Sequence, residues 1–223
     1  MRKPRLLDLF CGAGGCAKGY ADAGFEVVGV DIAPQPHYPF KFIQADAMTY
    51  PLDGFDAIHA SPVCKGYTVL NFKGKDNHEK LILPVKKRLL ASGKLFVIEN
   101  VSGAKLELPG ALMLCGSMFG MRIQRHRLFE SNILMFAPGA CDHTQRPISI
   151  HGHAVWDYAI DGVSWEKNGK IRPASIPYRE GAKAMGIDWM NRDELAQAIP
   201  PTYTRWIGQF LLAAVQDDCE VAG

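Results

Sequence analysis

The stretch Ala60-Ser61-Pro62-Val63-Cys64-Lys65-Gly66-Tyr67-Thr68 places a cysteine just beyond the apolar run Phe55–His59 and next to a lysine. A thiolate is a strong covalent nucleophile, and a neighbouring cation favours it over the thiol. A cysteine in an apolar setting is equally at home as small hydrophobic filler, so Cys64 by itself reads both ways. A second apolar run, Leu95-Phe96-Val97-Ile98, leads into Glu99-Asn100. A carboxyl group buried there holds its proton to higher pH and becomes an acid catalyst; in an ordinary ion pair it is structural. Arg125 and Arg127 flank His126. Their planar guanidinium groups suit oxygen acceptors in fixed geometry, or else form a solvated basic strand face.

These residues need elements to position them. Arg5 to Phe10 reads as a buried strand, turned by Cys11-Gly12-Ala13-Gly14-Gly15 into a helix from about Cys16 to Ala23 that stops at Gly24. Phe25 to Val30 is a second strand ending at Asp31, and three prolines between Ala33 and Pro39 make a loop. Phe40–Gln44 and Phe55–His59 are the third and fourth strands, Asn77–Ala91 a helix stopped by Gly93, and Leu95–Ile98 the fifth strand. Such alternation predicts an α/β fold with a mostly parallel sheet covered on both faces. Ligands bind such sheets beyond the carboxyl ends of the strands. Asp8 to Gly15, Asp31, Asp46, Cys64 and Glu99 all fall at or just after those ends.

With 223 residues, 48% of them hydrophobic, the chain is long enough for one sizeable core. A net charge of +2 permits nucleic-acid binding without requiring it. Six cysteines without dense spacing point to reduced thiols and a cytoplasmic protein. No apolar run has the length of a membrane span and no signal peptide is expected.

Gly12-Ala13-Gly14-Gly15-Cys16-Ala17 fits the loose dinucleotide pattern G-x-G-x-x-A, with Asp31 about 20 residues on to hold ribose hydroxyls. A nicotinamide-dependent oxidoreductase satisfies that pattern, as does a tight turn without a ligand. The acid in Asp8-Leu9-Phe10 argues against a pyrophosphate and for a cationic nucleoside without phosphate, S-adenosyl-L-methionine. Asp46 is placed to accept from the adenine amino group, or is a solvated turn aspartate.

Asp8-Leu9-Phe10-Cys11-Gly12-Ala13-Gly14-Gly15, Ser61-Pro62-Val63-Cys64, Ile98-Glu99-Asn100-Val101, Arg125-His126-Arg127 and Ala198-Ile199-Pro200-Pro201-Thr202-Tyr203-Thr204-Arg205-Trp206-Ile207-Gly208 occur in that order. Together they resemble the DNA cytosine-C5 methyltransferases, over Asp8 to about Arg127 and again over Arg179 to Gly208. The resemblance implies a Rossmann-like methyltransferase fold, double-stranded DNA as partner with the target cytosine flipped out of the duplex, and a monomer. It makes Cys64 the nucleophile at C6, Glu99 the acid at N3, and Arg125 and Arg127 the contacts to the base O2 and the active-site loop. It implies cofactor contacts from Asp8, Phe10, Gly12, Gly14, Asp31, Ile32, Asp46, Ala47, Pro62 and Gln197. The chain departs from the family in having Val63 where a second proline is usual, and Ala196-Gln197 where the closing motif has Gly-Asn. A catalytically weak DNA-binding remnant of the family is the non-enzymatic alternative.

Between Ala137 and Arg172 the periodicity breaks down. The expected organisation is a catalytic and cofactor-binding core over 1–136, a small target-recognition insert over 137–172, and a segment over 173–223 that returns to the core. Arg146, His151, His153, Trp156, Tyr158, Trp165 and Lys167 are the insert's candidates for DNA contact. Cys141, His143, His151 and His153 have the makings of a zinc site, but lack the paired C-x-x-C spacing, so no metal is expected and the other cysteines read as incidental thiols.

Overall fold

The computed structural model describes residues 2–67, 79–151, 154–161 and 173–221. Its elements are β1 (Arg5–Leu9), α1 (Gly15–Ala23), β2 (Glu26–Asp31), β3 (Lys41–Gln44), β4 (Ala57–Ala60), α2 (Ile82–Ala91), β5 (Leu95–Val101), β6 (Leu112–Leu114), β7 (Arg127–Ser131), β8 (Ile148–His151), β9 (Ala154–Asp161), β10 (Pro173–Ser175), α3 (Tyr178–Met185), α4 (Arg192–Gln197) and α5 (Pro201–Val221). Among the described residues, seven strands form one sheet in the order β3-β2-β1-β4-β5-β7-β6, with β7 antiparallel to both its neighbours.

Strand alternation builds the two faces. Leu6, Val27, Ala57 and Val97 pack against Tyr20 of α1 and Tyr203, Ile207 and Leu211 of α5. Leu7, Leu9, Ile58, Phe96 and Ile98 point the other way, onto Ile82, Val85 and Leu89 of α2. The expected mostly parallel α/β sheet with helices on both faces is therefore what forms.

α1 and α5 lie so close that a Cβ on Gly19 would fall 2.1 Å from the carbonyl oxygen of Pro201. The Thr204 hydroxyl donates to the Cys16 carbonyl at 2.8 Å across this contact. Pro201 opens α5, where its missing N–H costs no hydrogen bond. An Asn191–Glu194 capping box starts α4.

Three local expectations change. β5 does not stop at Ile98 but runs through Glu99 and Asn100 to Val101, because β7 pairs with it there, Glu99 opposite Phe129 and Asn100 opposite Leu128. Asp8 sits inside β1 rather than at its end. α2 begins at Ile82, and the first two residues of the expected helix, 77–78, lie outside the described residues. The expected insert over 137–172 folds more regularly than its sequence suggests, and its sheet is completed by β10 from just beyond that range. β8, β9 and β10 form an antiparallel sheet whose Ile150 and Val155 pack on Ala182 and Met185 of α3. No helix among the described residues is long and apolar enough to cross a membrane.

Candidate active site

A cleft of about 910 Å³ opens beyond the carboxyl ends of β1, β2, β4 and β5, within the usual size of a small-molecule site. Its walls include Phe10, Gly12, Asp31, Ile32, Asp46, Ala47, Pro62, Cys64, Glu99, Arg127 and Gln197. Asp8, Gly14 and Arg125 do not line it among the described residues.

The glycine loop is shaped for close approach. Gly12 and Gly14 have φ of 49° and 85°, and Phe10 holds the left-handed region at 57°, a costly conformation for an aromatic residue. A Cβ on Gly14 would meet Pro39 Cδ at 2.8 Å, so its role is to let the Tyr38–Pro39 loop pack down. Asp31 closes the loop from β2, its carboxylate accepting from Gly12 N and Ala33 N, both at 3.0 Å. Asp46 makes the turn expected of an aspartate, accepting from Met48 N at 2.8 Å, while still lining the cleft. Ile32, 73% exposed on the cleft lip, offers an apolar surface to a flat ring. If Asp31 holds a ribose, Asp31→Ala should weaken S-adenosylmethionine binding by about tenfold or more, the worth of hydrogen bonds to a charged group. Calorimetric titration measures this, and an unchanged affinity would leave Asp31 a loop brace alone.

Cys64 is exposed to the cleft on a segment held at several points. Ser61 N donates to Leu9 O at 3.1 Å, the side chain of buried Asn100 donates to Pro62 O at 2.8 Å, and Tyr67 N closes a turn onto Cys64 O at 2.9 Å. Tyr67 is itself anchored through a 2.6 Å bond to Glu107. These bonds hold the segment in place with Val63 before Cys64. The described part ends at Tyr67; Thr68 and the residues to 78 lie outside it.

Glu99 is buried, and burial raises its carboxyl above the ordinary range despite the opposing pull of Arg127, Ser61 and Arg125. Arg127 Nε lies 3.2 Å from its Oε1. A polar layer that sequence reasoning missed runs beneath it. The Tyr20 hydroxyl lies 3.0 Å from His59 Nδ1, His59 Nε2 lies 2.8 Å from Ser61 Oγ, and the Ser61 side chain is hydrogen-bonded to Glu99. Burial holds His59 neutral by pulling its pKa down to about 3, so one ring nitrogen donates and the other accepts. The available signal was a histidine inside the otherwise apolar Ala57-Ile58-His59-Ala60.

Asp8 belongs to the same layer. Alternation sends Leu7 and Leu9 to α2 and Asp8 to the α1–α5 face, fully buried opposite His59. Tyr38 donates to one oxygen at 3.3 Å, and Oδ1 has no hydrogen-bond partner among the described residues. Burial pushes its carboxyl up to about 8, so it is neutral at pH 7. The repulsion of a pyrophosphate expected from this acid is therefore not delivered: the group lies under the cleft, not in it. Because the folded value exceeds the unfolded one, near 3.8, stability falls as pH rises from about 4 to about 8. Asp8→Asn removes that loss. The variant's melting temperature should gain on wild type progressively over this range, by the equivalent of a few kcal/mol at pH 7. A gain independent of pH would refute the raised pKa.

The arginine pair divides. Arg127 faces the cleft. Arg125, partly buried, donates to the carbonyls of Ala198 and Ile150, the latter at 3.1 Å, and its own carbonyl accepts from Tyr203 at 2.7 Å. It braces the closing segment and β8 instead of pointing at Cys64. Arg125, Arg127, Gln124, Tyr158 and Gln197 line an adjoining cavity of about 850 Å³ between the insert and the core. Gln197 and Arg127 border both spaces. Of the insert residues proposed for DNA contact, Arg146, Trp156 and Tyr158 are described, and Arg146 donates to Tyr158 O at 3.3 Å. His153, Trp165, Lys167 and the side chain of His151 lie outside the described residues.

Two members of the suggested zinc set, His153 and the side chain of His151, lie outside the described residues. Cys141 and His143 meet Cys115 and His126, with all four ligand atoms within 4.8 Å of one another.

No family model matches the chain, and no curated protein matches it in sequence. Solved structures do match in fold. One is a candidate DNA modification methyltransferase encoded within a prophage of E. coli, with a TM-score of 0.66 and 15% identity over 96% of this chain and 99% of that one. Another is the Entamoeba histolytica methyltransferase EhMeth, with a TM-score of 0.62 and 10% identity over the same shares. At these identities what is shared is the fold: the Rossmann-like α/β architecture of methyltransferases.

Proposed function

We propose that this chain is a DNA cytosine-C5 methyltransferase that uses S-adenosyl-L-methionine. The observation that carries the reading is the convergence of Cys64, Glu99 and Arg127 on one cleft with the glycine loop, Asp31 and Asp46. A dinucleotide-dependent oxidoreductase is not favoured. The dinucleotide fold continues its sheet with a parallel strand after the fifth, whereas here antiparallel β7 takes that place. The matched solved structures also carry methyltransferase names.

The cleft fits the cofactor: a glycine-lined floor, carboxylates for ribose and adenine, and Phe10 and Ile32 as apolar walls. When bound, S-adenosylmethionine supplies an electrophilic methyl group on a sulfonium. The chain's residues prepare the cytosine. The Cys64 thiolate adds to C6 of a flipped-out base, while the Glu99 carboxyl donates its proton to N3 and relieves the negative charge entering the ring. C5 thereby becomes enamine-like and takes the methyl group. Water then takes the C5 proton, the N3 proton returns to the Glu99 carboxylate, and the Cys64–C6 bond breaks, restoring the aromatic ring and the thiolate. Arg127 holds Glu99 in place and faces the base, and Arg125 keeps β8 and residues 198–199 closed around the site.

Incubation of DNA with the protein and S-adenosylmethionine, followed by bisulfite sequencing, tests the reading. New protected cytosines support it; methyl groups on adenine, or none, refute it.

Specificity follows from the size of the insert. Leu128 to Tyr178 must supply β7 and the β8–β10 sheet, leaving little surface for base-edge contacts worth about 1–3 kcal/mol each. Phosphate contacts need less architecture. A short or degenerate target of about two to four base pairs, with markedly salt-dependent binding, is expected. Methylome sequencing after expression in a methylation-free host measures it, and a long, strictly read site would overturn it.

A further inference from the structure

Cys115 follows β6, His126 immediately precedes β7, and Cys141 and His143 lie in the irregular segment between β7 and β8. Cys141 Sγ lies 2.8 Å from His143 Nε2 and 3.3 Å from His126 Nε2, and Cys115 Sγ lies 3.4 Å from His143 Nε2. Zinc–sulfur bonds near 2.3 Å and zinc–nitrogen bonds near 2.0–2.1 Å give a tetrahedron with edges of roughly 3.3–3.8 Å. Two of these separations match those edges, the third is shorter, and all four atoms lie within 4.8 Å of one another, so modest side-chain shifts bring them onto one ion.

We propose that Cys115, His126, Cys141 and His143 form a structural zinc site. Three features support this metal and this role. The donor set is two soft sulfurs and two imidazoles with no carboxylate in the cluster, which selects zinc over magnesium or calcium. All four tetrahedral positions come from the protein, so none is open for chemistry. The ligands also have outer support. Ser117 Oγ lies 3.3 Å from Cys115 Sγ, donating to it, and 3.6 Å from Cys141 Sγ, while accepting from Asp142 N at 3.2 Å.

The site has work to do in this fold. The stretch from Asn132 to Pro147 contains no helix or strand, yet it must run from the sheet to the β8–β10 insert. An ion bound to Cys141 and His143 ties that stretch to the end of β6. His126 is the middle residue of Arg125-His126-Arg127, so the same ion fixes the backbone from which Arg127 reaches Glu99 and Arg125 reaches Ala198. The assignment stands on this geometry and is independent of the reaction proposed above.

Protein purified without added metal, then dialysed against a weak chelator, should retain about one zinc ion per chain by plasma mass spectrometry, as a four-ligand site requires. Cobalt exchanged into wild-type protein should give thiolate-to-cobalt charge-transfer bands and the intense visible bands of a tetrahedral ion. Cys141→Ser and His126→Ala should lose the zinc, and His151→Ala should keep it. Zinc or cobalt removal should lower the melting temperature of wild type. Absence of both retained zinc and tetrahedral cobalt bands in folded wild-type protein would overturn the proposal. So would loss of the metal in His151→Ala with retention in Cys115→Ser, which would assign another ligand set. If the cysteine variants fail to fold, the wild-type cobalt spectrum decides alone, because its charge-transfer intensity counts the thiolates.

Discussion

Replacing Cys64 with alanine is expected to abolish methyl transfer while S-adenosylmethionine binding survives. The loss should exceed about 10,000-fold, the scale seen when a covalent nucleophile is deleted. Little else should change. The Cys64 side chain is exposed, and the turn bond to Tyr67 uses its backbone carbonyl, which alanine keeps. Wild-type protein should form an adduct stable to denaturation with DNA carrying 5-fluorocytosine at a target site, because fluorine cannot leave C5 as a proton does. The alanine variant should form none. Turnover by the variant would remove Cys64 from the mechanism.

Glu99→Gln is the second large effect. Glutamine keeps the size of the side chain and can still accept from Arg127 and meet Ser61, so fold and cofactor binding should persist. It has no acidic proton to give to N3, and general acid catalysis contributes typically about 100-fold or more. The pH dependence separates catalysis from structure. Since Glu99 must be protonated to act, wild-type turnover should fall as pH rises through its elevated pKa, whereas the residual rate of the variant should lack that limb. A glutamine variant within twofold of wild type would make Glu99 a structural partner of Arg127.

The parts of the molecule legible in sequence are those governed by neighbours along the chain. The apolar runs at Leu6–Leu9 and Val27–Val30, the glycine turn between them and the Pro201 helix start all lie where local rules put them. What stayed hidden depends on partners distant in sequence. β5 extends past Ile98 only because Phe129 and Leu128 pair with Glu99 and Asn100. Asp8 looks like a site residue by position, but strand alternation and the Tyr38 loop bury it below the cleft. Arg125 and Arg127 are two residues apart, yet only the placement of Ala198 and Ile150 shows that Arg125 is a brace. The Cys115–His126–Cys141–His143 cluster has no compact spacing to find, since β6, β7 and a loop each bring part of it.

The contact between α1 and α5 bears on how the protein is made. Thr204 bonds to Cys16 across 188 residues, and Trp189 donates to Ala13 O across 176. Ala198 and Ile199 form part of the cleft wall beside the glycine loop. Such long-range closure is slow, because chain entropy is lost before the contacts that compensate for it form. During synthesis the first strand–turn–helix unit emerges early, but its α5-facing side, including Tyr20, stays uncovered until residues near 215 have left the ribosome. Cofactor affinity should therefore be among the last properties the nascent chain acquires, and residues 1–60 in isolation should expose apolar surface without binding it.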